Sequence, residues 1–169
     1  YLFEWRLDKP SGVTNKVLSQ TKVWRELGHE VDLLCVTTTP VSPIFKQQNM
    51  KLYILKLPEI LSRLSIGLYL AKLYSINNIY NEIKRFNPDT IYYRKAIWYP
   101  GLISIFQKYK TIFEINTKED DETKLLPLIK QIIYWYSKDN FMNSASAFIA
   151  VTNEISNSLL NYKKETCVI

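Results

Sequence analysis

Short apolar runs alternate along this chain with longer stretches whose apolar residues recur every three or four positions, and that alternation predicts strands and helices in turn. Residues 1–5 form the first run and predict a strand. A polar loop over 6–12 leads into a helix whose apolar positions Val13, Val17, Leu18, Val23, Trp24 and Leu27 fit a helical period. Gly28 stands where a left-handed C-terminal cap belongs, and 31–36 is nearly continuous apolar sequence, as in a strand buried on both faces of a parallel sheet. Beyond Pro40 and Pro43, residues 52–55 predict a third strand, which Pro58 ends. The helical period then runs over 59–86, with a break or bend at Gly67.

The second half repeats the alternation. Asn87-Pro88-Asp89 is a turn, 90–93 a strand, 99–109 a helix and 111–115 a strand. A polar and acidic loop over 116–122 precedes a long apolar-rich helix over 125–142. Residues 147–151 predict a strand, 152–162 a helix opened by a Thr152 cap, and 166–169 the start of one more strand. About seven strands with helices between nearly all of them define an α/β chain built on a parallel sheet with helices on both faces. No internal repeat is present.

At 169 residues the chain is about one domain, and a composition of 47% apolar, 14% aromatic and 22% charged residues excludes a disordered tail or a collagen-like fibre. Its 22 Lys and Arg against 16 Asp and Glu give a net charge of +6, which favours anionic partners such as phosphates, nucleic acid or an acidic membrane surface. Cys35 and Cys167 read as small buried hydrophobes in a reducing compartment, hence the cytoplasm. The opening residues carry neither a basic leader nor a cleavage site, and Lys72 and Lys130 interrupt the two apolar stretches that could approach a membrane span. A first residue other than methionine and a final run that stops in mid-strand read as a piece of a longer protein.

Ligands of an open parallel α/β sheet bind outside the carboxyl ends of its strands, which confines the search to a few short stretches. Pro10-Ser11-Gly12-Val13 lies between strand and helix, where backbone N–H groups and the helix dipole favour an anion and glycine admits a ligand close to the backbone. Ser11 also suits a helix cap, and the two roles are compatible. Neither G-x-G-x-x-G nor a phosphate-binding P-loop is present, which disfavours a dehydrogenase or a P-loop NTPase. Arg94 ends its strand placed for a bidentate contact to phosphate or carboxylate, or for a surface ion pair. Glu114 and Asn116 share one side of an extended segment and together suit the hydroxyls of a polyol.

The acids at 119–122 suit a solvated loop and helix start better than a metal site. His29, the single histidine, follows a helix cap at the opposite end of the sheet and leaves no Ser-His-Asp or Cys-His triad to assemble. Lysines interleaved with aromatics, as in Lys108-Tyr109-Lys110, lack any recognisable nucleic-acid motif. The Leu- and Tyr-rich stretch 58–85 reads as a core helix, with a membrane-facing role as its rival.

Taken in order, these residues resemble a family. Ser11-Gly12-Val13 with a helix running to Glu26-Leu27-Gly28-His29-Glu30-Val31 resembles the opening of the N-terminal domain of family 4 glycosyltransferases, which have the GT-B fold. Pro88-Asp89-Thr90-Ile91-Tyr92-Tyr93-Arg94 resembles their fourth strand, and Phe113-Glu114-Ile115-Asn116 with Glu122 further on is similar to their E-x-N segment. Phe148-Ile149-Ala150-Val151-Thr152 resembles the strand before their interdomain linker.

The resemblance implies a Rossmann-like acceptor-side domain over 1–169, the N-terminal half of a GT-B cleft, with the donor-binding domain outside this chain. It implies retaining transfer of a sugar from a nucleotide-sugar donor to a saccharide or lipid-linked acceptor in surface polysaccharide or glycolipid synthesis, at the inner face of the membrane through peripheral contact. It further implies that Ser11, Gly12 and Lys16 approach the donor phosphate or sugar, and that Arg94, Glu114, Asn116, Glu122, Thr152 and Asn153 line the substrate cleft. No metal, no other cofactor and no nucleic-acid partner are expected. The chain has Ser11-Gly12 where the family commonly has two glycines, and the 114–116 region where a histidine is often found. A GT-B sugar-nucleotide epimerase and a non-catalytic α/β binding module are the alternatives.

Overall fold

A computed structural model describes residues 1–37, 41–43, 52–56, 67–95, 101–117 and 128–169. They fall into two compact units, 1–87 and 88–169, each an α/β layer with only parallel strand pairing.

In the first unit the strands are β1 (Leu2–Glu4), β2 (Leu33–Thr37) and β3 (Leu52–Lys56), with β2 between the other two. The register sets Leu2 beside Leu34, Phe3 beside Cys35 and Glu4 beside Val36. Because side chains alternate, Phe3 and Cys35 share one face, where they join Leu7, Val17 and Leu33 in a core under helix α1 (Gly12–Glu26). Glu4 lies on the other face, where it meets Lys72 of helix α2 (Gly67–Phe86). Helices therefore cover both faces, as the apolar character of β2 requires.

Helix α1 ends as its sequence predicts. Gly28 takes φ 90°, its N–H donates to the Arg25 carbonyl, and the His29 N–H reaches the Trp24 carbonyl, which together form a Schellman cap. Its buried face differs from the expected apolar positions: Thr14, Val17 and Thr21 are buried, whereas Val23 and Leu27 are exposed. Thr21 tolerates burial because its hydroxyl donates to the Val17 carbonyl at 2.9 Å.

The second unit orders its strands β4 (Thr90–Arg94), β5 (Lys110–Ile115), β6 (Ala147–Ala150) and β7 (Glu165–Val168). Its core is aromatic. Tyr93 and Phe113 point to one face, where they meet Phe106 of α3 (Leu102–Phe106) and Phe141 of α4 (Leu128–Asn143), with ring centroids 4.9–6.3 Å apart. Phe148 extends the cluster along β6.

Two helices are shorter than their sequence patterns. The helix expected over 99–109 is α3, which starts only after Gly101 at φ 99°. The one expected over 152–162 is α5 (Asn153–Ser158) followed by a 3-10 turn over Leu160–Tyr162, which ends at Lys163 with φ 51°. Cys35 is buried as expected, but Cys167 is exposed, because β7 pairs, among the described residues of its unit, only with β6 and its side chains are left largely uncovered. None of the helices among the described residues is long and apolar enough to cross a membrane.

Candidate functional site

The carboxyl end of β1 carries the first constellation. Ser11 is the N-cap of α1 in an extended conformation, and its Oγ accepts from the Thr14 N–H at 3.2 Å and from the Trp5 indole N–H at 2.9 Å. Thr14 Oγ1 lies 3.1 Å from the same oxygen and itself accepts from the Ser11 N–H at 2.8 Å, which completes a capping box. Both acceptor sites of the Ser11 hydroxyl are occupied, so it serves the helix start and the indole.

That leaves the backbone as the ligand-facing part of the loop. Among the described residues the Gly12 and Val13 amides have no acceptor, as expected for the first turn of a helix, and they sit at the positive end of the α1 dipole. A Cβ built on Gly12 meets nothing within 4 Å, and its φ lies outside the left-handed region. Among the described residues neither packing nor backbone conformation demands glycine there. Lys16 follows one turn along α1, half-buried, on the side of the helix that carries Gly12.

Sequence reasoning passed over one pair in this unit. Glu4 ends β1, its side chain is 8% exposed, and it forms a buried ion pair with Lys72. Its Oε1 is buried and has no hydrogen-bond partner. The signal was available: Glu4 interrupts an apolar strand, and Lys72 interrupts the apolar pattern of α2.

The second constellation is at the carboxyl ends of β4 and β5. The register pairs Arg94 with Glu114, and alternation puts Tyr92, Arg94 and Glu114 on one face. Arg94 Nη1 donates to Glu114 Oε1 at 2.5 Å, and the Tyr92 hydroxyl donates to Oε2 at 2.9 Å. Glu114 is completely buried, whereas the Arg94 side chain keeps 15% exposure. Both oxygens of the carboxylate are thus engaged, and Glu114 acts as the anchor that orients Arg94.

Asn116 follows β5, and its Nδ2 is buried without a hydrogen-bond partner. Thr152 caps α5 by accepting from the Ile155 N–H at 3.2 Å, and Asn153 next to it is exposed. Glu122 and the acidic run around it lie outside the described residues. The structure therefore brings Ser11, Gly12 and Lys16 together in one unit, and Arg94, Glu114 and Asn116 together in the other.

Burial sets the one strongly displaced thiol. It pushes the Cys35 thiol up to about 12, against the small opposing pull of its hydrogen bond to the Trp5 carbonyl. Cys35 is therefore a neutral core group and not a nucleophile.

No curated protein matches the chain. The sequence profile of Glycosyltransferase Family 4 matches residues 10–169, a span that starts at the α1 loop and takes in the Ser11–Gly12 helix start and the Arg94–Glu114 pair. The chain belongs to Glycosyltransferase Family 4.

Proposed function

We propose that residues 1–169 are the acceptor-side domain of a retaining glycosyltransferase, which moves a sugar from a nucleotide-sugar donor to a saccharide or lipid-linked acceptor. Gly12 carries this reading. A position that needs no glycine for its own fold, yet presents two unbonded amides at a helix N-terminus, is suited to the close approach of a donor phosphate. Arg94, held by Glu114, supplies a charged fork for an anionic group of donor or acceptor, and Asn116 offers an unused amide to a hydroxyl. A donor-binding domain supplied beyond this chain completes the cleft.

The reaction takes place at the cytoplasmic face of the membrane, where surface polysaccharide and glycolipid precursors are lipid-linked. Support for peripheral contact comes from α4, where Leu128, Ile132, Trp135 and Tyr136 recur at helical spacing and are all exposed. The test is nucleotide release from UDP-, GDP- and ADP-sugars by the protein joined to its donor-binding half, with and without a lipid-linked acceptor extract. Release from one donor class, stimulated by acceptor and abolished by Gly12→Trp, is the expected result. No release from any donor overturns the reading and points to the epimerase, whose product keeps its nucleotide, or to the binding module.

A further inference from the structure

We propose that Trp5 is the stacking platform for a pyranose ring, an inference that rests on the sugar-transfer reading for the class of ligand. The residue lies just past β1, ahead of the segment that the family profile matches, so family membership says nothing of it. Three observations carry the proposal.

The indole is fixed in place. Its N–H donates to Ser11 Oγ at 2.9 Å, and its backbone continues the ladder by donating to the Val36 carbonyl at 3.3 Å. A large side chain held at both ends has already lost the rotamer freedom that binding would otherwise remove.

The ring is nevertheless uncovered. Trp5 is 43% exposed, and no other ring or cation stands over it among the described residues. The other two described tryptophans are occupied: Trp24 packs against Tyr1 with centroids 5.8 Å apart, and Trp135 lies under the Lys138 ammonium at 5.0 Å. With its polar handle satisfied, the only chemistry Trp5 offers a ligand is a flat apolar π surface.

The surroundings select the ligand. Ser11 joins the indole to the N-terminus of α1, so the ring stands beside the free Gly12 and Val13 amides. A flat apolar face bordered by N–H donors fits a pyranose, whose axial C–H groups form an apolar face ringed by hydroxyls. An aliphatic peptide would leave the amides unused, and a lone phosphate would leave the ring unused.

The experiment is saturation-transfer NMR on the protein joined to its donor-binding half, with methyl glucoside, methyl galactoside, methyl mannoside, UDP and UDP-glucose as probes. The indole N–H signal of Trp5 is assigned by its loss in Trp5→Phe. The proposal expects saturation of the axial pyranose protons, movement of the Trp5 indole signal, and binding about tenfold weaker in Trp5→Ala but retained in Trp5→Phe. If only methyl glycosides weaken, the ring serves the acceptor; if UDP-glucose weakens while UDP does not, it serves the donor sugar.

Saccharide binding that is equal in Trp5→Ala and the unmodified chain overturns the proposal, as does equal binding in Trp5→Leu or no saccharide binding at all. UDP binding that still depends on Gly12 in that event leaves the transferase reading standing. Loss of both brings down the two together. Because Trp5→Phe keeps an aromatic face while giving up the indole N–H bonded to Ser11, a folding defect in Trp5→Ala does not mask the answer.

Discussion

Arg94→Met and Glu114→Gln, made singly and together, probe whether the strand-end ion pair is a coupled unit. Glu114 is wholly buried and receives two hydrogen bonds, one of them from a guanidinium at 2.5 Å. Hydrogen bonds to a charged group contribute about 1.5–3 kcal/mol each, and breaking a buried pair costs about 3–5 kcal/mol because the survivor is left unpaired. The two survivors are not equivalent. Glu114→Gln leaves Arg94 with 15% exposure and one amide oxygen to bond, so the lower end applies, about 2–3 kcal/mol. Arg94→Met leaves a fully buried carboxylate without its guanidinium partner, which places it near about 4 kcal/mol.

The double variant removes both charges and should cost less than the sum by about 2–3 kcal/mol. Urea unfolding followed by circular dichroism measures all four proteins at pH 7. Strictly additive costs would refute the coupling and with it the role of Glu114 as the anchor of Arg94.

Three further outcomes follow from the same geometry. Ser11→Ala removes the α1 cap and the indole acceptor together, which should cost about 1–2 kcal/mol in urea unfolding and shift the Trp5 indole N–H resonance; an unchanged resonance would contradict the Trp5–Ser11 bond. Phe113→Ala opens the aromatic core of the second unit and should cost about 3–5 kcal/mol, and a loss under about 1 kcal/mol would mean the cluster is loosely packed. Cys35 should resist Ellman's reagent in the folded chain while Cys167 reacts at once. Since burial raises the Cys35 thiol from 9.0 to about 12, the thiol is protonated in both states at neutral pH, and stability relative to Cys35→Ala falls by up to roughly 4 kcal/mol as pH rises through that window.

The order of elements was legible because parallel strands buried on both faces leave continuous apolar runs, of which 33–36 is the clearest, and because Gly28 marks a cap. Faces were less legible. Thr14 and Thr21 do the burying on α1, since a threonine hydroxyl satisfied by its own helix behaves as a small apolar group, while Val23 and Leu27 stay in solvent. Pairings across the fold were the least legible. Arg94 and Glu114 are 20 residues apart, and Lys72 and Glu4 are 68 apart, so only strand register and helix placement reveal that each cation has its acid. Glu114 accordingly reads from sequence as a hydroxyl contact, yet its carboxylate is occupied from within the strand pair.

Each unit thus places a buried carboxylate at the carboxyl end of a strand with a cation held against it, Glu4 with Lys72 and Glu114 with Arg94. An acid in that position costs desolvation and stabilises little on its own, so its physical consequence is geometric: it fixes a cation at the edge where ligands of parallel sheets bind. Rigid cations on strand ends are suited to anionic chemistry common to a family, whereas the residue with an uncovered face, Trp5, precedes the matched segment. The charge framework and the sugar-facing surface are therefore separable. Exchanging Trp5 for alanine should weaken saccharide binding without disturbing the Arg94–Glu114 pair or the stability of its unit, and a change in Glu114-dependent unfolding on Trp5→Ala would show that separation to be false.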